Sequence, residues 1–198
     1  MEFFFALMPG SVGNFFPSAS ARAARFFSKT RPCFAARCVY GSPDVNKAAE
    51  LIANPDVVVT DLRATTGEEA MRELHARLAA VPGAVTDAPQ FLAELLERAQ
   101  VSSVCIADDV ALPHARTAAV TRLALAVGRA TADIAFDAEH PRVRLVFLIG
   151  TPKGAVTEYL KLVAALSRLL KNAEARAALL TAPDEAALRA VLSQRVKR

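Results

Sequence analysis

The sequence predicts an α/β domain in which a single β-sheet is covered by helices on both faces. Three observations carry that prediction. Short β-branched or apolar runs, at 57–63, 104–112, 123–129 and 143–150, are interleaved with helix-length amphipathic segments, the pattern of a layered α/β domain. Two of those runs, LALAVGR and VRLVFLIG, are nearly continuous in apolar residues, as strands buried on both sides are. From about residue 155 the chain reads as helix after helix, enough to cover a second face.

Taken in order, VVVTDLR (57–63) is short and β-branched and reads as the first strand. Thr66-Gly67-Glu68-Glu69 follows as a capping box, in which hydroxyl and carboxylate each satisfy the other residue's backbone amide. The helix behind it places Met71, Leu74 and Leu78 on a core face and ends before Pro82-Gly83. Asp87-Ala88-Pro89-Gln90 starts a second helix, with proline in the first turn, where its missing N–H costs nothing. Phe91, Leu92, Leu95 and Leu96 form its apolar side and leave Glu94, Glu97 and Arg98 facing elsewhere. In the run that ends Val110-Ala111-Leu112, Pro113 cannot donate to a ladder, so pairing is expected to stop there, with His114 at a strand terminus and Arg116 two residues on. The last helices are TEYLKLVAALSRLLK, EARAALLT and DEAALRAVLSQ.

The flanks differ in composition. Residues 1–40 carry Arg22, Arg25, Lys29, Arg31 and Arg37 against one acid, Glu2, and are expected to be a disordered basic tail, either a transit-peptide-like segment or the product of an upstream start. Residues 41–55 read as a linker containing a short helical stretch, 56–193 as the domain, and 194–198 as a basic end.

Composition excludes several classes of function. Hydrophobic residues make up 53% of the 198 and charged residues 22%, ample for a core. The net charge of +4 is spread along the chain, with no basic stripe to bind nucleic acid. No apolar run approaches the ~18 residues that membrane insertion requires. Cys33, Cys38 and Cys105 fit no disulfide or zinc spacing, which points to a reduced, cytoplasmic protein without a metal or other cofactor. There is no HxxxH or HxH pair and no GxSxG elbow, so neither a metallohydrolase nor a serine hydrolase is expected. Of the three histidines, His75 adjoins an apolar helix face and suits packing, and His140 sits in the turn AEHPR. His114 remains.

Four blocks of the chain, in register, resemble one family. They are Leu95-Leu96-Glu97-Arg98; Ile106-Ala107 with Val110-Ala111-Leu112-Pro113-His114-Ala115-Arg116; Ile134-Ala135-Phe136-Asp137-Ala138; and Leu145-Val146-Phe147-Leu148, with a 16-residue step from Arg98 to His114. From about 56 to 193 the chain resembles the enzyme IIA domains of the bacterial sugar phosphotransferase system, type 2, the fructose/mannitol and nitrogen-regulatory branch. The resemblance implies the mannitol-type fold, a single-layer mixed sheet flanked by helices. It implies that His114 accepts a phosphoryl group from an HPr-type phosphocarrier protein and passes it to a IIB domain or holds it as a regulatory signal for a target protein. It also implies that Arg98 binds the phosphoryl group. The chemistry suits these residue types, because imidazole is a nucleophile near neutral pH and a guanidinium fork matches a phosphoryl dianion. The expected cleft around His114 is lined by Arg98, Ser103 and Tyr159.

Several residues depart from the family pattern. Tyr159 stands where sugar-specific relatives carry a second histidine; a phenol still donates a hydrogen bond but is no proton carrier at neutral pH. Ser102, Cys105, Ala107 and Asp109 occupy a loop that is usually glycine-rich, Ala99 replaces an acid, and Asp108 and Asp109 bring negative charge close to an anionic intermediate. Two functions therefore stay open: a phosphohistidine carrier, and a regulatory binding module that keeps the fold and docks partners without efficient phosphotransfer.

Overall fold

A computed structural model describes residues 43–196. In chain order the elements are α1 (Pro43–Ala53), β1 (Val57–Leu62), α2 (Gly67–Ala79), α3 (Ala88–Val101), β2 (Cys105–Ala107), β3 (Val110–Ala111), β4 (His114–Thr117), β5 (Ala124–Ile134), β6 (Val143–Pro152), α4 (Val156–Lys171), α5 (Ala173–Thr181) and α6 (Glu185–Val196). The strands make one mixed sheet in the order β1-β5-β6-β3-β2, and β4 pairs with β6 further along the same edge as β3. Pairings of β1 with β5 and of β3 and β4 with β6 are parallel; β5–β6 and β2–β3 are antiparallel.

The two apolar runs divide with a period of two, as a pleated strand dictates. Ala124 and Ala126 of β5 and Val146 and Leu148 of β6 face a core closed by Met71, Leu74 and Leu78 of α2 and Phe91 and Leu95 of α3. Leu125, Val127, Leu145, Phe147 and Ile149 face the other core, closed by α4, α5, α6 and α1. The predicted architecture, one sheet with helices on both faces, is the observed one.

Local signals place the helices that matter for the site. The capping box at Thr66 forms with both hydrogen bonds, and Asp87 caps α3 by accepting from the Gln90 amide at 3.0 Å. Gly150 lets α3 sit close on β6: a Cβ there would lie 3.0 Å from Cζ of Phe91 and 3.2 Å from Val120.

Four expectations are corrected. Residues 41–55 are not a linker: α1 buries Ala48 and Ile52 against α4 and α6. Ala48, Leu51 and Ile52 share one helical face, and Pro43 is tolerated in the first turn, so the polar start of the segment concealed an amphipathic helix. The single strand predicted over 104–112 is a tight hairpin, with Asp108 and Asp109 in the turn between β2 and β3. Pairing does not stop at Pro113, because proline lacks only the donor: its carbonyl accepts from the Ile149 amide at 2.9 Å and β4 continues the ladder. The C-terminal boundary moves outward, since α6 runs to Val196 and Arg195 lies 3.6 Å from Glu174. The tail predicted over 1–40 and the last two residues lie outside the described residues. Among the described residues, no helix is long and apolar enough to cross a membrane.

His75 is confirmed as a packing residue, 6% exposed on α2, its ring 5.3 Å from that of Phe91. Burial first, and the nearby Arg72 charge, hold its pKa below the ordinary 6.5, against a hydrogen bond to the Ala88 backbone. The fold therefore favours neutral His75, and this contribution to stability is present above pH 6.5 and is lost as the pH falls below it. The melting temperature is expected to fall on acidification through this range. His75→Met, which fills similar space without a titratable group, should flatten that dependence; an unchanged slope would assign the acid sensitivity to other groups.

Candidate functional site

His114 opens β4, in register with Ile149 of β6, and β6 leads directly through residues 153–155 into α4. The last turns of α3 approach the same strand from the other side of the sheet edge. Between them lies a cleft of about 380 Å³, whose polar walls are Glu94, Arg98, His114, Arg116, Thr151 and Tyr159.

The geometry fixes the state of His114. Its Nδ1 is 3.0 Å from the Leu112 carbonyl oxygen. A carbonyl only accepts, so Nδ1 carries the proton and Nε2 keeps its lone pair. The ring is half-buried and packs against Tyr159, with centroids 5.4 Å apart and planes inclined by 36°. Burial first, with a further push from the Arg98 charge, lowers its pKa from 6.5, although the Leu112 bond acts the other way. The imidazole is thus neutral at neutral pH, with one nitrogen available as a nucleophile. Burial raises the Tyr159 pKa, so its phenol stays protonated and can donate.

Arg98 stands in the last turn of α3 and donates to Ser102 Oγ at 2.6 Å. Its charge acts on both His114 and Tyr159, as the direction of its effect on each pKa shows. The structure thus brings together three of the four residues expected at the cleft: His114, Arg98 and Tyr159.

Ser103 is not among them. Its hydroxyl donates to Asp137 Oδ2 at 2.8 Å and accepts from the Cys105 amide at 3.2 Å, on the wall of a different cleft. The cause is local: Ser102 leaves α3 in an extended conformation, so Ser102 stays beside Arg98 and the next residue turns toward the β5–β6 loop. The acids of the hairpin turn do not line the cleft. Asp109 lies 3.4 Å from Arg176 of α5, and Asp108 is exposed.

Sequence reasoning missed Glu94, Arg116 and Thr151. Glu94 was legible, since it sits one helical turn before Arg98 and shares its face. Its Oε1 accepts from Gln90 Nε2 at 2.9 Å, and the Thr117 hydroxyl and Gln90 together hold its carboxyl below the ordinary value. Thr151 was not legible, because only the β4–β6 register places it beside Arg116. It is 1% exposed, and its hydroxyl has no hydrogen-bond partner within the described residues.

A larger cavity, about 770 Å³, opens between α1 and the β6–α4 connection. Among the described residues no histidine or cysteine lines it, and Asp56 and Arg122 on its wall pair with each other at 2.7 Å. Cys105 is no competing nucleophile either, because burial first, and the Asp137 charge, push its thiol up to about 11.

The mixed sheet with helices on both faces is the fold of solved mannitol-type IIA structures. The solution structure of the complex of enzyme IIA mannitol and phosphorylated enzyme IIB mannitol from Escherichia coli matches it with a TM-score of 0.60 and 18% identity, over 70% of this chain and 95% of that one. The family model for the phosphoenolpyruvate-dependent sugar phosphotransferase system, EIIA 2, matches residues 51–195, and the chain belongs to that family. The PTS system 2-O-alpha-mannosyl-D-glycerate-specific EIIABC component of Escherichia coli K12 is 33% identical over 139 residues, which is 68% of this chain but 21% of that protein. The chain thus spans about a fifth of that relative's length. A nitrogen regulatory protein of Bradyrhizobium diazoefficiens is 28% identical over 145 residues, 73% of this chain and 93% of that protein.

Proposed function

We propose that this domain is a phosphohistidine carrier in which His114 accepts a phosphoryl group from an HPr-type phosphocarrier. The group then passes to a IIB domain or is held as a regulatory signal read by a partner protein. The observation that carries this reading is the Nδ1–Leu112 hydrogen bond at 3.0 Å, which leaves Nε2 bare inside a cleft that also holds Arg98.

The chemistry balances without an external base. Nε2 attacks phosphorus as the donor's own N–P bond breaks, and the electron pair of that bond returns to the donor's imidazole. The Nδ1 proton stays where it is, against the Leu112 carbonyl, so the positive charge developing on the ring is met by a carbonyl dipole. Arg98 stabilises the transferring group from the side, the principal service phosphoryl transfer asks of a protein. Tyr159 supplies a phenolic donor in place of a second histidine. The reaction belongs in the cytoplasm, where Cys105 remains a free thiol.

One observation favours the binding-module reading: Glu94 places a carboxylate in the same cleft, where it opposes an incoming phosphoryl group. Incubation with a phosphorylated HPr-type donor and intact-mass measurement separates the two. A carrier gains about 80 Da, one phosphoryl group. A docking module binds the donor and gains no mass.

The pH dependence has a defined sign. Because the pKa of His114 lies below 6.5, its lone pair remains available down through that pH, and the acceptance rate should decline only on more acid ground. Single-turnover rates with excess donor, measured between about pH 5 and 8, check this. A midpoint at or above 6.5 would mean that the accepting imidazole is not the half-buried ring of His114.

A further inference from the structure

We propose that Cys105, Asp137 and His140 form a binding site for a borderline-soft divalent cation of the zinc type, separate from the His114 cleft. Cys105 comes from β2, and Asp137 and His140 come from the loop between β5 and β6. One ligand-capable atom from each residue lies within 4.8 Å of the other two. Zinc bonds of about 2.0–2.3 Å place neighbouring ligand atoms about 3.5 Å apart, so modest side-chain rotations close the site. Sulfur, imidazole nitrogen and carboxylate oxygen together suit zinc. The thiol and imidazole do not suit calcium or magnesium, which take oxygen ligands.

Backbone amides and Ser103 hold the carboxylate as an outer shell would, while the Asp137–His140 contact joins two of the ligands directly and leaves His140 Nε2 as the ring atom free to coordinate. Asp137 Oδ1 accepts from the Glu139 and His140 amides at 3.0 and 2.8 Å and lies 2.8 Å from His140 Nδ1. Asp137 Oδ2 accepts from Ser103 Oγ, and that hydroxyl also receives the Cys105 amide. The carboxylate and the β2 backbone are therefore already tied together, which orients the donors before any ion arrives. Charge points the same way. Asp137 and Glu139 face the adjoining cleft, and among the described residues no lysine or arginine lines it. The site is not legible in the chain, because residue 105 meets 137 and 140 only through the sheet.

Coordination replaces the Cys105 S–H bond with an S–metal bond and releases one proton to solvent, and water completes a tetrahedral shell. The ion would fasten the β5–β6 loop to the segment that includes Ser102, on which Arg98 leans at 2.6 Å.

Cobalt(II) serves as the probe. The full-length, reduced, chelator-stripped chain is titrated with cobalt and followed in the near-ultraviolet and visible. Expected are a sulfur-to-cobalt charge-transfer band and tetrahedral d–d bands that saturate at one equivalent and are displaced by zinc. Cys105→Ser, near-isosteric at a half-buried position, should fold normally by circular dichroism and lose the charge-transfer band. His140→Ala should weaken binding at least about 10-fold. A double Cys33→Ser, Cys38→Ser variant should keep the signal. The proposal is overturned if the wild-type chain binds no cobalt, if the bands disappear in the double variant, or if His140→Ala binds as the parent does.

Discussion

His114→Ala is expected to abolish phosphoryl acceptance outright while leaving the domain folded. The side chain is half-buried, makes one hydrogen bond to the Leu112 carbonyl and one ring contact with Tyr159. Losing them costs about 1–2 kcal/mol, which moves the melting temperature by several degrees without unfolding a domain with two filled cores. The chemical loss has no such limit, because no other group in the cleft combines an available lone pair with this position. Intact mass after incubation with the phosphorylated donor should show no adduct, while His140→Ala keeps it. In the parent the adduct should be lost in acid and on treatment with hydroxylamine, as a phosphoramidate is. A phosphoryl group retained by the His114→Ala chain would remove His114 from the chemistry.

Arg98→Ala should lower the single-turnover rate of acceptance about 10²- to 10³-fold, the loss that follows removal of one preorganised charge-stabilising donor, roughly 2.7–4 kcal/mol. Its effect on stability should be small. Arg98 sits at a helix end, and its hydrogen bond to Ser102 is exposed. An exposed contact of that kind contributes at most about 1 kcal/mol. Arg98→Lys should recover only part of the rate, because an ammonium restores the charge but not the two-pronged geometry. Rates equal to the parent's in Arg98→Ala would place the transferring phosphoryl group out of its reach.

Much of this fold could be read from the chain because its signals are local. The capping box at Thr66 and the cap at Asp87 are complete within four residues each, and β5 and β6 announce themselves by apolar continuity. What escaped depended on contacts between distant residues. The face of α1 becomes apolar only when Ala48 and Ile52 are counted together, and the partners that bury it, α4 and α6, lie far along the chain. At the cleft, His114 and Arg98 were found through a spacing that resembled a family's. Ser103 misses the cleft because Ser102 leaves α3 in an extended conformation, and the sequence does not reveal which way the next side chain turns. Thr151 illustrates the same limit in the sheet, where register between strands decides which side chains meet.

The position of β6 has a consequence in time as well as in space. It is the last strand of the described chain, yet it pairs with β5, β3 and β4, so the strand made latest joins all three. A chain emerging from the ribosome has β1 and β5 on one side and the β2–β3 hairpin on the other, with no strand between them to join them into one sheet. Such non-local closure is slow, and the unpaired edges are exposed while it waits. His114 meets Tyr159 only after that closure, since Tyr159 follows β6 directly on α4. A nascent or C-terminally truncated chain that has its histidine but lacks β6 therefore has no cleft to receive a phosphoryl donor, and the cleft is complete only once β6 and the first turn of α4 have both arrived.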